Sequence, residues 1–326
     1  MNEKIEVSVL CLVYNQEKSL RKCLDRIIGQ KTSFLYEILV YDDVSSDRSR
    51  EIIDGYASKY PSLIRPVYPK ENQMQKKVNL EDDILFPLTR GRYIAFCEGD
   101  DYWTDPYKLQ KQYLHMERNP SCSMCAHNTH IYDICAGKYV GRYHDWKSVH
   151  RMTAYDAILD LKVHTSSYFI LRQAFQFPPK LPFVWWCSDY TRLLCAFVRG
   201  YVDVLPDFMS VYNWNNVNGV THTYYDLEQK NEHIRELNRF LNAYNRFTDY
   251  RFAREISCRL KIEHLIMRKT SFMLNMVRDG RMTYNSKKCR FKPERGLWFM
   301  ILMYSPISEK FFFNVYRTLE EIYHPG

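Results

Sequence analysis

The chain has 326 residues, 46% of them hydrophobic and 26% charged, with a formal net charge of +8, ten cysteines and 26 tyrosines. That length can bury a sizeable core in one large domain or one domain plus an appendage, the composition is ordinary for a soluble globular protein, and no run reaches the roughly 18 apolar residues of a membrane span. Cys122 and Cys125 form the one CxxC, with no second pair to complete a zinc site, and the start MNEKIEVSVL carries no secretory signal, so the expectation is reduced thiols in a cytoplasmic protein. A basic, aromatic-rich surface suits a nucleotide, a sugar chain or an anionic membrane face, and charge alone does not choose among them.

Glu6 to Tyr14 (EVSVLCLVY) is a near-continuous apolar run, the pattern of a strand buried on both faces. After Asn15, the spacing of Leu20, Cys23, Leu24, Ile27 and Ile28 predicts a helix over 17–28. Tyr36 to Tyr41 reads as a second buried strand ending in Asp42-Asp43. Ser45-Ser46-Asp47 then opens a helix over 48–60, and Leu63 to Tyr68 is a third strand. A polar segment, 70–79, leads to a short helix over 80–89 and a fourth strand, Tyr93 to Cys97. Strand and helix alternating in this way predict a doubly wound, mostly parallel sheet, in which ligands bind beyond the carboxyl ends of the strands.

Three polar clusters fall on that edge: Tyr14-Asn15, Asp42-Asp43 and Glu98-Gly99-Asp100-Asp101. Three carboxylates within four residues at the mouth of a buried strand are costly unless they neutralise or gather around a cation. Oxygen ligands of this kind suit Mg²⁺ or Mn²⁺; the alternative is a solvated loop or helix cap. Asp105-Pro106 fits such a cap for the helix that follows. Neither a GxGxxG after the first strand nor a GxxxxGK[ST] is present, so phosphates would have to be held by metal and carboxylate. Further along, strands are expected at 138–143, 163–171, 201–205 and 207–212, and helices from Trp185 to about Val198 and over 226–281.

With these residues in order, the chain resembles family 2 glycosyltransferases of the GT-A fold over roughly residues 6 to 220. VSVLCLVYNQEKSLRKCLDRIIGQ resembles the family's opening strand, turn and helix, and EILVYDDVSSDRSREI its strand ending in Asp-Asp. GRYIAFCEGDDYWTDPYKLQKQ resembles the metal-binding DxD segment in its bacterial form. Ser188-Asp189-Tyr190 and VYNWNNVNGVTH resemble the catalytic-base helix and the loop after it. Glu98 departs from the family by standing where the first Asp of DxD is usual.

The resemblance implies an α/β GT-A fold with a Rossmann-like, mostly parallel sheet and a catalytic domain over 1–225; residues 226–326 do not match its motifs, and their helical spacing, many Arg and Lys residues and Trp/Phe clusters read as a helical, basic and aromatic-rich extension. The resemblance also implies an inverting hexosyl or related transfer from a nucleotide sugar, a UDP-sugar being the family's commonest case, to a glycan or lipid-linked hydroxyl; nucleic acid is not an expected partner. Asp100 is the implied metal ligand for Mn²⁺ or Mg²⁺, and Asp189 the implied general base. Asp43 would meet the base ring with Tyr14 stacking beside it, and Glu98 and Asp101 would bind the nucleotide sugar or assist the metal. Asp189 has a plain alternative as a helix N-cap, and Asp42, Ser45 and Asp47 read as turn and cap residues. Lys76, Lys77 and His222 offer contacts to phosphate, or are solvated loop residues. Trp185 and Trp186 offer faces for a sugar ring, or core packing. His164-Thr165-Ser166-Ser167 lies either near the acceptor or in a strand with buried hydroxyls. The C-terminal region is either a helical packing layer or a surface resting on an anionic bilayer at the inner face of the membrane. A nucleotidyltransferase and a sugar- or nucleotide-binding module without activity are the rival readings. The first lacks the Gly-rich phosphate loop, and intact Asp43, Asp100 and Asp189 weigh against the second.

Overall fold

A computed structural model describes residues 4–159, 163–176, 181–182, 188–214, 227–261, 282–285 and 290–293. The chain divides into two compact units, Met1–Lys261 and Ile262–Gly326. In the first, the described strands form one ten-stranded sheet. β1 (Ile5–Val13), β2 (Leu35–Asp42), β3 (Ile64–Val67) and β4 (Tyr93–Phe96) pair in parallel in the order β3-β2-β1-β4. The path continues through β9 (Phe169–Leu171), β6 (Cys122–Asp133) and β10 (Tyr201–Trp214) to β5 (Tyr102–Trp103). β9 is antiparallel to both its neighbours, whereas β6 and β10 are parallel to each other. β7 (Lys138–Arg142) pairs with β6, and β8 (His150–Arg151) with β10.

The strand pleat distributes alternate residues to two apolar layers. Val7, Val9, Cys11 and Val13 of β1 pack with α1 (Leu20–Ile28), α2 (Ser49–Lys59) and α3 (Lys108–Arg118), through Leu24, Ile53 and Leu109 among others. On the opposite face Leu10, Ile94 and Phe96 meet α4 (Ala154–Ile158), α5 (Ser188–Arg199) and α6 (Leu227–Phe247). Helices on both faces explain why the parallel strands are apolar throughout. α6 contributes Leu237, Phe240, Leu241 and Tyr244 to that second layer, so its apolar stripe belongs to the core of the first unit although the sequence places it in the extension. In the second unit, β11 (Met282–Asn285) and β12 (Arg290–Pro293) pair antiparallel.

Several elements differ from the sequence reading. Only Phe169–Leu171 of the expected 163–171 strand is extended; Thr165–Ser167 is a 3-10 turn, with the His164 ring accepting from the Ser166 amide. The two strands expected at 201–212 are one strand, continuous through Pro206 because register shifts near Leu205 and Phe208 absorb the missing amide donor. β6, twelve residues long, escaped a pattern reading because its inward positions include Ser123, His127, Asn128 and Thr129, all buried. The 80–89 helix is a π-helical turn followed by a 3-10 turn.

Candidate active site

The strand order reverses between β1 and β4, since β2 and β3 lie on one side of β1 and β4 on the other. A crevice opens at such a switch point beyond the strand ends, and the loops after β1, β2 and β4 meet there. The first two are stapled together. Asn15, at φ 53°, accepts through Oδ1 from the Ser46 amide at 2.7 Å, and the Ser45 hydroxyl accepts from the Asn15 amide at 2.9 Å. Glu17 N donates to Asp47 at 2.9 Å, and Asp47 also accepts from Ser49 N at 2.9 Å. Asp42 accepts from the backbone and the hydroxyl of Ser45. These side chains hold turns, as their types suggest.

Asp43 is 4% exposed. Its carboxylate accepts from the Tyr41 hydroxyl at 2.9 Å, from Gln73 N at 2.8 Å and from Met74 N at 3.0 Å. It therefore holds the 72–74 loop over the crevice, with one of its roughly four lone-pair positions left. Val44 beside it has φ 63°, a left-handed conformation that a β-branched residue adopts at a cost. Tyr14 is 41% exposed at the crevice mouth.

At the end of β4, the Gly99 amide donates to Leu12 O at 2.9 Å and folds the acidic segment against β1. A Cβ at Gly99 would collide with the Gln16 side-chain oxygen and lie 3.1 Å from Val13 and 3.3 Å from Leu20, a close approach that glycine allows without displacing those side chains. Glu98, Asp100 and Asp101 each bring a carboxylate oxygen within 4.8 Å of the others. Burial, then the charges of Asp100, Asp189 and Glu81, push the Glu98 carboxyl up to about 8. Burial, then Asp100 and Glu98, also raise Asp101 well above the usual carboxylate range. Asp101 Oδ1 accepts from Asn213 N at 3.0 Å, and the Asn213 amide side chain donates to Asp100 O. Asp101 Oδ2 is buried without a hydrogen-bond partner among the described residues. His164 Nδ1 lies 3.5 Å from it but is engaged by Ser166, and burial lowers that imidazole to about 3, leaving it neutral. Three crowded oxygen donors, one of them orphaned, fit a hard divalent cation.

Across His164-Thr165 stands Asp189, in the first turn of α5. Its Oδ1 accepts from Tyr190 N at 2.7 Å and its Oδ2 from the Thr165 hydroxyl at 3.4 Å. Its charge raises both Glu98 and Tyr143, so the candidate base and the acidic cluster share one crevice. Tyr143 and Tyr212 wall this side, their rings 5.3 and 4.3 Å from that of His164.

α5 is anchored by groups that the local sequence did not single out. Buried Arg192 bonds Glu81 through Nε at 2.9 Å and both oxygens of Asp82 at 2.8 Å, while Ser188 donates to Glu81 at 2.8 Å. The available signal was an arginine on an otherwise apolar helix face. Asn213 lies in the VYNWNNVNGVTH segment, but nothing in that segment signals its bond to Asp101; Tyr143 had no local signal, because only the sheet brings it to this crevice. Asp105 accepts from Tyr107 N and Lys111 in the turn before α3, away from the cluster. Lys76 pairs with Glu71 and Lys77 with Glu232. His222, Trp185 and Trp186 lie outside the described residues. A second set, His115, Cys122 and Asp203, is an ion-pair cluster: Arg151 shares Asp203 with His115, and burial pushes the Cys122 thiol up to about 12, against metal ligation.

The model of the family described as Glycosyl transferase family 2 matches residues 8–176. A protein of Mycobacterium tuberculosis is 34% identical over 229 residues, which is 69% of this chain and 63% of that protein's length. The poly(ribitol-phosphate) beta-glucosyltransferase of Bacillus spizizenii is 31% identical over 99 residues, 30% of this chain and 15% of that one. Among solved structures, S. aureus TarS 1-349 in complex with UDP is similar with a TM-score of 0.51 at 14% identity, covering 90% of this chain and 98% of that one. The mannosyltransferase PcManGT from Pyrobaculum calidifontis, in complex with GDP-Man and Mn²⁺, is similar with a TM-score of 0.52 at 13% identity, covering 85% and 81%. The two structures share the fold.

Proposed function

The chain belongs to glycosyl transferase family 2, and on that premise we propose that it moves a sugar, with inversion, from a nucleoside diphosphate sugar to a hydroxyl of a glycan or lipid-linked acceptor. The observation that carries this reading is the grouping of Glu98, Asp100 and Asp101 within 4.8 Å in the crevice that also holds Asp189. Asp100, with Asp101 and Glu98 beside it, would hold Mn²⁺ or Mg²⁺, which neutralises negative charge on a diphosphate. The orphaned Asp101 oxygen supports that assignment, and the UDP complex and the GDP-Man and Mn²⁺ complex of proteins with this fold accord with it.

Asp189 accepts the proton of the acceptor hydroxyl. The acceptor oxygen then forms its bond to the anomeric carbon as the bond from that carbon to the diphosphate oxygen breaks, and the electron pair leaves with the diphosphate. One carboxylate on the acceptor side is what a single inverting displacement requires. Thr165 holds that carboxylate, and Arg192, through Glu81 and Asp82, holds the helix that carries it. Tyr14 supplies a flat exposed face for the nucleobase. Asp43 closes the base pocket from beneath by holding the 72–74 loop and keeps one acceptor position for the base, uracil being the first to try. We assign catalysis to residues 1–225 and acceptor or membrane contact to 226–326, with α6 serving as core as well. Release of nucleoside diphosphate from a panel of nucleotide sugars, with and without Mn²⁺, tests this reading; a protein that releases nucleoside monophosphate or pyrophosphate instead is a nucleotidyltransferase.

A further inference from the structure

At the other edge of the sheet, the strand starts of β1 and β4 and the end of antiparallel β9 surround a cavity of about 700 Å³. Nine residues of β1 separate it from the acidic crevice, a distance of about 30 Å at the usual rise per strand residue. Five cationic side chains line it, Lys4, Arg90, Arg92, Arg172 and Arg199, and none of its described lining residues is acidic.

Partners neutralise only part of this charge. Arg92 pairs with Glu117 at 2.7 Å, Lys4 lies 3.6 Å from Glu6, and Arg90 shares Glu37 with Arg65. Arg172 donates from Nε to the Thr89 hydroxyl at 3.1 Å and lays its guanidinium 4.6 Å over the Phe86 ring. Among the described residues neither Arg172 nor Arg199 has a carboxylate partner. The Phe86 contact and the Thr89 bond fix the Arg172 plane, which leaves its terminal nitrogens as an oriented donor fork. Crowding like charges around a concavity is unfavourable by itself, and it concentrates positive potential where a multivalent anion would relieve it. Guanidinium groups match the oxygens of phosphate in geometry and in charge.

We propose that this cavity is an anion site, separate from the catalytic crevice, that takes a phosphate-bearing ligand through Arg172 and Arg199. Phosphate of this kind comes either from a soluble phosphoanhydride or from the headgroup of an anionic lipid, and two probes distinguish these sources. The first is calorimetric titration of the full chain with inorganic pyrophosphate in excess EDTA, in an Asp100→Ala background that silences the acidic crevice. The second is sedimentation at low salt with vesicles of phosphatidylglycerol against vesicles of phosphatidylcholine. Arg199→Glu alters an exposed side chain with no described bond, and Arg172→Gln keeps a donor for Thr89, so both variants keep the fold. The expected result is binding of one or both anionic probes, weakened at least tenfold by either substitution. Pyrophosphate alone identifies a soluble ligand, phosphatidylglycerol alone a lipid headgroup, and both together the shared phosphate chemistry. Binding of neither probe, or binding undiminished by both substitutions, overturns the proposal.

Discussion

The Thr165 hydroxyl donates to Oδ2 of Asp189 across 3.4 Å, and its neighbour His164 stands 3.5 Å from Asp101. One dipeptide thus spans the gap between the carboxylate proposed as the base and the cluster proposed to hold metal. The 3-10 turn over Thr165–Ser167 makes this possible, because a regular strand would send successive side chains to opposite faces.

Removing the Thr165 hydroxyl should mis-set the base without emptying the donor site. Thr165→Val is expected to lower kcat about tenfold, the worth of roughly 1.4 kcal/mol for a hydrogen bond to a charged group, with KM for the nucleotide sugar little changed. Thr165→Ser should restore most of the rate. Equal loss in both variants would show that the methyl group, not the hydroxyl, matters.

Asp189→Asn keeps the shape of the side chain and its place at the start of α5 but cannot take a proton. Turnover should fall by about 10²- to 10⁴-fold, while calorimetry shows the nucleoside diphosphate still bound. Near-normal turnover in this variant would return Asp189 to a capping role.

Arg192 is 1% exposed and bonds Glu81 and Asp82. Arg192→Met would leave the buried Glu81 and the half-buried Asp82 without their described cation, at a cost of about 3–5 kcal/mol in denaturant unfolding. A change below 1 kcal/mol would mean that the cluster is easily rehydrated. Because α5 carries Asp189, activity should be lost at temperatures where the wild type is still active.

Lys108 is fully buried over the Trp103 ring, and burial lowers its ammonium from 10.5 to about 7. Between those values the unfolded chain holds a proton that the folded chain sheds, so raising pH stabilises the fold across that window. Below pH 7 both states are protonated and the full penalty of burying the charge applies. Lys108→Met should therefore be more stable than wild type at pH 7, on the order of a few kcal/mol. That advantage should shrink as pH rises toward 10, as read from denaturant midpoints across the range; a pH-independent difference would contradict the assignment.

The parallel half of the sheet was legible because its strands are apolar on both faces and end in polar turns, as in VSVLCLVYN and EILVYDD. The acidic segment was legible because three carboxylates beside a buried strand need an explanation. β6 was not, since His127, Asn128 and Thr129 are buried yet polar and interrupt any apolar period. Asn213 and Tyr143 reach Asp101 and its neighbours through strand pairing and a hairpin far along the chain, and no local pattern encodes such a meeting. Asp43 shows a further limit: its place at the end of β2 was readable, but its three bonds to Tyr41 and the 72–74 loop were not.

Asp100 and its two neighbours are proposed to hold the cation that assists departure of a nucleoside diphosphate. The most direct measurement is a Mn²⁺ titration of nucleoside diphosphate release from the best nucleotide sugar of the panel, in wild type and Asp100→Ala. The expected result is release that is abolished by EDTA and restored by Mn²⁺ in the wild type, with at least a hundredfold loss in the variant at saturating metal. Release indifferent to EDTA, or an Asp100→Ala protein with full metal-dependent activity, would contradict the account.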